Sequence, residues 1–465
     1  MNKFIRILIF TLLVTTIGYS QQIKLWGLTS EETEDGMPTG NVFSITSNGE
    51  YTNIHSFDNV EGGYRPVGTL TLGDDGFLYG MTELGGALPF QYGVIFKIDV
   101  DGTYTKLHDC VETGYGPVGW LTIGSDNDFY GLAGGGSNSK GVIFKYSNEN
   151  GFKKLFDFAK DNGTQPFGSL IVDEEGDFYG MTSDQNYSDR YGTIFGFTKD
   201  GSYIKLYDFD GGLNGSRAVG SLVLGNDGRL YGMTQWGGSY GKGVIFAITK
   251  DRVYTKLHDF NGTSGAYPLG SLTLSDDGVL YGMTTSGGNS NEGVIFSITD
   301  NGTYRTLYNF KSDSGSKPRG KLLLATNGVF YGTTSLGGEY NQGVVFSLTK
   351  VGVYTKIHDF DGVSGGLPYG SLIEYTPSSL DTKEVIIDEG EFVVYPNPSN
   401  GKFVVELEEG GEKIISVRDM NGRVVKKFST VENDQCEVEL NVDKGIYILS
   451  VRAAHRVQDY KVIIK

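Results

Sequence analysis

Cysteine is nearly absent from this sequence of 465 residues: there are 2, Cys110 and Cys436. A disulfide framework cannot hold such a chain together, so its stability has to come from packing. Cys110 stands where equivalent segments place phenylalanine, which reads as a small buried hydrophobe and not as half of a bridge to Cys436. Helical periodicity is missing throughout residues 22–375, which excludes helical layers there. Basic charge is also in deficit, with 39 Lys and Arg against 56 Asp and Glu and a net charge of −17. That field repels phosphate, so nucleic acid is excluded as a natural partner and anionic lipid is disfavoured. Long apolar runs are missing too, apart from Ile7–Ile17, which is too short to span a bilayer. Lys3 and Arg6 precede it, and the small Gly18 and Ser20 precede Gln21. Residues 1–20 therefore read as a secretory signal peptide, and no transmembrane segment is expected.

Glycine is abundant, at 70 residues, without a collagen-like period, and aromatic residues reach 13%. Aromatic surface of that extent can offset the entropy of ordering, so the glycines belong to tight turns and not to a disordered tract. They recur in phrases: FLYGMTELGG at 77–86, RLYGMTQWGG at 229–238 and VLYGMTTSGG at 279–288. The aromatic-glycine pair appears at Trp26, Tyr79, Tyr130, Tyr179, Tyr231, Tyr281 and Tyr331, spaced by 53, 51, 49, 52, 50 and 50 residues. A Gly-x-x-Phe column at Phe43, Phe96, Phe144, Phe195, Phe246, Phe296 and Phe346 repeats at the same interval. So does a Gly-x-Leu column, written GTL, GWL, GSL or GKL, that ends at Leu70, Leu121, Leu170, Leu222, Leu272, Leu322 and Leu372.

Each repeat holds four short apolar runs rich in β-branched and aromatic residues, as in SLTLS, VLYGMT, GVIFSIT and TYRTLYNF around 270–310. Turn words such as Asp276-Asp277-Gly278 join the first two runs, and Asp300-Asn301-Gly302 the last two. The unit is an antiparallel meander the size of a propeller blade. The first repeat lacks its first strand, and the last supplies a spare one in GSLIEY at 370–375. Pairing the two would close the ring and leave no open sheet edge. The expectation is an all-β fold: a seven-bladed β-propeller of four-stranded blades over residues 21–375, closed by a split blade. A polar linker over 376–390 and a small β-sandwich over 391–465 would follow.

The LYGMT, GG and GVIF words resemble the GloVer-type tandem repeat of secreted bacterial proteins, a likeness that covers nearly all of 22–375 and implies no activity. The C-terminal segment resembles the type A sorting domain of the type IX secretion system. The matching residues are Tyr395-Pro396-Asn397-Pro398, Gly401, the turn from Asp419 to Gly422, Gly445-Ile446-Tyr447, and a last strand bearing Lys461 and Lys465. The resemblance implies type IX secretion machinery as a partner. It also implies passage across the outer membrane, followed by release or attachment to the cell surface.

Catalytic motifs are not apparent. His55, His108, His258 and His358 share one column with Phe156, Tyr207 and Tyr308, so the position reads as space-filling at a strand end. Asp109, Asp157, Asp208, Asp259 and Asp359 form a column with Asn309, read as hydrogen bonding in the turn that follows. The Asp-Asp-Gly words read as hairpin turns and not as calcium loops. No metal or cofactor is implied.

In a meander the second and fourth connections share one face, and here these are the long, variable ones. Aromatic residues on that face are the candidate ligand contacts: Trp236, Tyr240, Tyr187, Tyr191, Tyr64, Tyr115, Tyr267 and Tyr340. The expected function is a secreted or surface-bound binding module for a glycan or protein, acting as a monomer. The alternatives are an extracellular polysaccharide lyase or hydrolase, and a structural surface or matrix component.

Overall fold

The computed structural model describes residues 23–30, 39–57, 60–89, 91–111, 116–117, 119–184, 191–363, 365–375, 392–395, 399, 401–407, 413–419, 424–430, 435–440, 442, 444–453 and 456–464. The expected signal peptide and the expected linker lie outside them. Among the described residues between Lys24 and Glu374 the chain forms seven four-stranded antiparallel sheets. One sheet serves for all: Thr273–Leu274, Leu280–Thr284, Val294–Ile298 and Tyr304–Asn309 pair in sequence order. The first strand spans only two residues, shorter than its apolar run suggested, because the Gly-x-Leu segment before it is engaged elsewhere.

The second strand is buried, as in Leu280–Thr284, the third is buried at all but one position, as in Val294–Ile298, and the fourth is mostly half-buried. Each Gly-x-x-Phe phenylalanine is fully buried. A buried ring of this kind contributes about 1.5–3 kcal/mol. Its tip lies over the glycine of the aromatic-glycine pair: a Cβ on Gly232 would sit 2.6 Å from Phe246 Cζ. The phrase therefore repeats because one strand must supply a flat backbone patch under its neighbour's ring.

The sheets adhere through aromatic stacks that repeat around the molecule. The histidine-column residue of each sheet lies flat on a ring from the next: His55 on Tyr104, His108 on Phe152, Phe156 on Tyr203, Tyr207 on Tyr254, His258 on Tyr304 and Tyr308 on Tyr354. The seventh stack, His358 on Tyr51 with centroids 4.7 Å apart, joins the last repeat to the first. The spare strand completes that join, since Ile373 pairs with Trp26 and Glu374 with Leu25.

Residues after 391 form two further sheets. One contains Phe392–Tyr395, Lys402–Leu407 and Gln435–Glu439; the other contains Lys413–Asp419, Val424–Thr430, Gly445–Ala453 and Arg456–Ile464. Val405, Ile415, Val417, Leu449 and Val462 are among the residues of their shared core.

Candidate functional site

The Gly-x-Leu segments converge. A pocket of about 90 Å3 is lined by them, with residues from every repeat: Thr69, Trp120, Ser169, Ser221, Ser271, Lys321 and Ser371. The glycines set the spacing. A Cβ on Gly168 would overlap the Gly220 carbonyl oxygen, one on Gly220 that of Gly270, one on Gly270 that of Gly320, and one on Gly370 that of Gly68. Only glycine allows backbones to meet this closely.

The residue after each glycine links to the next repeat. Trp120 N–H donates to Ser169 Oγ (2.6 Å), Ser169 N–H to Ser221 Oγ (2.8 Å) and Ser221 N–H to Ser271 Oγ (2.8 Å). Lys321 N–H donates to Ser371 Oγ (2.8 Å), and Ser371 N–H to Thr69 Oγ1 (2.9 Å). Small hydroxyl residues occupy five of these seven positions because each must accept one amide. The circuit breaks twice. The residue after Ser271 in the ring is Lys321, and the one after Thr69 is Trp120; neither carries a hydroxyl.

Those two residues meet at the pocket, with Lys321 Nζ 4.6 Å from the Trp120 ring centroid. A second cation stands two residues earlier, where other repeats have Val67, Phe167, Val219 or Leu269: the Arg319 guanidinium lies 4.4 Å from the Tyr369 ring centroid. Such cation–π contacts hold a charge in place while leaving its N–H groups available. Burial pushes the Lys321 ammonium below its ordinary pKa. Neither cation has a carboxylate partner among the described residues, and the lining contains no Asp, Glu, His or Cys. Because each first strand runs away from the face that carries the second and fourth connections, Arg319 and Tyr369 lie on the long-loop side of Lys321.

Those of the aromatic residues expected from the sequence that are described lie outside this lining. Trp236 is 40% exposed and packs on Tyr267 with centroids 4.6 Å apart. Tyr240 and Tyr340 are more exposed, at 60% and 54%, and Tyr191 is partly exposed. Tyr64 is half-buried and donates to Gln91 Oε1 at 3.1 Å. Tyr115 and Tyr187 fall outside the described residues. Sequence reasoning missed Trp120, Arg319, Lys321 and Tyr369. The signal for Trp120 and Lys321 was present in the words GWL and GKL, where a large side chain interrupts a column of serine and threonine.

The histidines of the shared column lie in the stacks between sheets, and His258 Nε2 also lies 3.1 Å from Ser264 Oγ. The aspartate column needs correction. Asp259 Oδ1 accepts from Ser239 N–H (2.8 Å), and Asp359 Oδ1 from Glu339 N–H (2.8 Å). Asn309 Oδ1 accepts from Asn289 N–H in the same way (3.1 Å). These side chains cap the connection 20 residues earlier, not the turn that follows, because the bend between third and fourth strands brings them back over it. The hairpin aspartates anchor the tyrosines of the repeated phrase: Tyr79 Oη donates to Asp75, Tyr130 to Asp126 and Tyr231 to Asp227. Among the described residues no His, Cys, Asp or Glu cluster could hold a metal, and Cys110 is buried with no disulfide to Cys436.

In the C-terminal part, Gly401 N–H donates to Ser399 Oγ (3.2 Å), Gly445 opens a strand, and the buried Tyr447 pairs with Asp419. Lys461 pairs with Ile448 in the last strand. Pro396, Asn397, Pro398, Gly422 and Lys465 lie outside the described residues. Two ion pairs join this part to the second repeat, Lys427 to Asp101 (2.7 Å) and Arg418 to Asp99 (3.7 Å). No helix among the described residues is long and apolar enough to cross a membrane.

The Gloeobacter/Verrucomicrobia repeat matches residues 19–224 and 191–380, and the secretion system C-terminal sorting domain matches 393–465. None of the curated proteins matches the sequence. Among solved structures, a candidate 6-phosphogluconolactonase from Bacteroides uniformis is similar, at 15% identity and a TM-score of 0.52, over 76% of this chain and 99% of that one. Puromycin hydrolase is similar at 11% identity and a TM-score of 0.50, over 83% of this chain and 57% of that one. At such identities the likeness is one of fold alone: an all-β, propeller-like arrangement.

Proposed function

The chain belongs to the Gloeobacter/Verrucomicrobia repeat family and carries a type IX sorting domain, and from that premise we propose that it is a binding propeller for a glycan. The sorting domain directs type IX export to the cell surface or the extracellular space. The seven sheets are the blades of one ring, its axis runs through the pocket, and the ligand approaches from the long-loop face.

The observation that carries this reading is the interruption of the Gly-x-Leu column. Repeats that otherwise agree contribute a tryptophan, a lysine, an arginine and a tyrosine to the lining of one pocket. Structural repetition needs none of them there. Aromatic faces beside hydrogen-bond donors suit a sugar ring. The lining also lacks the two carboxylates from which glycoside hydrolysis is built, which favours binding over turnover.

A glycan-array screen of the secreted chain tests the reading, with Trp120→Ser and Trp236→Ala beside it. Selective binding lost in Trp120→Ser assigns the ligand to the axis. Loss in Trp236→Ala alone assigns it to the outer loops. Failure to bind any glycan sinks the proposal.

A further inference from the structure

We propose that the axial pocket is a subsite for the oxyanion of an acidic sugar, its carboxylate or sulfate held by Lys321 Nζ and the Arg319 guanidinium. The inference rests on the glycan reading and adds the charge of the ligand.

The first argument is the economy of charge in this protein. Acidic residues exceed basic ones by 56 to 39, so carboxylates are plentiful. Most lysines on the sheets are neutralised locally: Lys106 by Asp109, Lys154 by Asp157, Lys256 by Asp259 and Lys356 by Asp359. Lys321 and Arg319 are not, although they lie two residues apart and point their charge at one pocket. Lys321 is partly desolvated, and Arg319 stands exposed beside it at the rim; a partly desolvated cation without a counter-ion is costly unless something else supplies the negative charge.

The second argument is independent of charge. Thr69, Ser169, Ser221, Ser271 and Ser371 each accept an amide or lie next to an accepting neighbour, and none donates its own hydroxyl proton to protein among the described residues. The ring therefore presents unspent O–H donors. At its two breaks, Ser271 N–H and Thr69 N–H also find no acceptor in the ring. A lining that offers donors and no carboxylate is complementary to an oxyanion.

The third argument is size. A volume of about 90 Å3 is several times the roughly 10–15 Å3 that a single water needs. It admits an acidic group and the edge of its ring, with the rest of the sugar lying against Tyr369 at the mouth. Arg319 can engage the group through two parallel N–H bonds, and Lys321 supplies a point charge from below.

The repeats supply their own control substitutions. Lys321→Ser installs the residue found at this position in four other repeats and restores an acceptor for Ser271 N–H, so it should fold at least as well. Arg319→Leu installs the residue of the repeat before it, Leu269. Calorimetric titration of the full chain would use glucuronate, glucose 6-sulfate and glucose, with Tm recorded for every variant. One charged sugar should bind tighter than glucose, and each substitution should weaken it by about tenfold or more without lowering Tm. Whichever charged probe binds identifies carboxylate or sulfate as the group. Equal binding of glucose and both charged sugars, unaffected by either substitution, overturns the inference and leaves the glycan reading intact. Absence of any sugar binding removes both.

Discussion

At the scale of single residues, the repeat separates glycines demanded by a neighbour from glycines demanded by the backbone. Gly232 illustrates the first kind. A methyl group there would lie 2.6 Å from Phe246 Cζ and 3.0 Å from Leu222 Cδ2, and the Phe246 ring is fully buried and cannot retreat. Gly228 illustrates the second, with φ at +78° and nothing within 4 Å. Gly232→Ala should therefore destabilise by about 1–3 kcal/mol through overpacking. Gly228→Ala should cost only about 1 kcal/mol of backbone strain. Urea unfolding of the two variants measures both. If Gly228→Ala proved the worse, the tight contact between Phe246 and the strand beneath it would not be the reason for the glycine. The same contrast explains the site: Gly270 and its equivalents are demanded by a carbonyl of the next repeat, whereas the residue beside each is set by the amide it accepts, a demand that Trp120 and Lys321 do not meet.

At the scale of elements, much was legible from the sequence, because blade strands are local. Four apolar runs per 50 residues, with Asp-Gly and Asn-Gly turns, led directly to the observed order of pairing in each sheet. The spare strand at 370–375 was legible for the same reason, since a missing and an extra run stand at opposite ends of the repeats. What could not be read was which column lines the pocket. The residues of the pocket are scattered from Thr69 to Ser371, and only their convergence in space distinguishes GWL and GKL from harmless variation. Exposed aromatics such as Trp236 were visible by residue type, yet type carries no information about convergence. The aspartate column misled for a similar reason: its partner lies 20 residues back, across a strand pair, and local turn chemistry does not reach that far. The closing strand makes an expectation at this scale. Besides pairing with Leu25 and Trp26, it buries Leu372 against Phe43 and Val345 and receives a bond from Tyr375 N–H to Lys24 O (3.0 Å). A chain stopped after Gly370 should lose about 2–5 kcal/mol and expose the edge of Lys24–Leu28 to self-association. A chain stopped after Tyr375 should do neither. Thermal melting and light scattering on the two would decide, and equal behaviour would mean that ring closure does not depend on this strand.

At the scale of the whole molecule, the aromatic stacks couple stability to pH at several points of the ring. Burial lowers the pKa of His258, which stacks on Tyr304, and of His358, which stacks on Tyr51. The unfolded chain holds its histidines near pH 6.5, so below that value it binds more protons than the folded one. The contribution is complete above about pH 6.5 and is lost as the pH falls through and below it. A second group acts lower. Burial raises the carboxylates of Asp157, Asp173, Asp227 and Asp259, but hydrogen bonds from Lys154, Lys250, Tyr231, Arg229 and Lys256 outweigh it and hold them below the usual range. Their contribution persists above about pH 4 and is lost only as acid protonates them. Melting temperature should therefore decline in two steps, the first beginning near pH 6.5. Acid also relieves the self-repulsion of a chain with net charge −17, which works against both steps. Comparison with a His258→Phe, His358→Phe variant removes that common term, and phenylalanine already fills the column at Phe156. Between about pH 7.5 and pH 5 the parent should lose more stability than this variant, while below about pH 4 the two should fall in parallel. Identical curves throughout would show that the stacked histidines carry no proton linkage, and that the column is occupied by histidine for its shape alone.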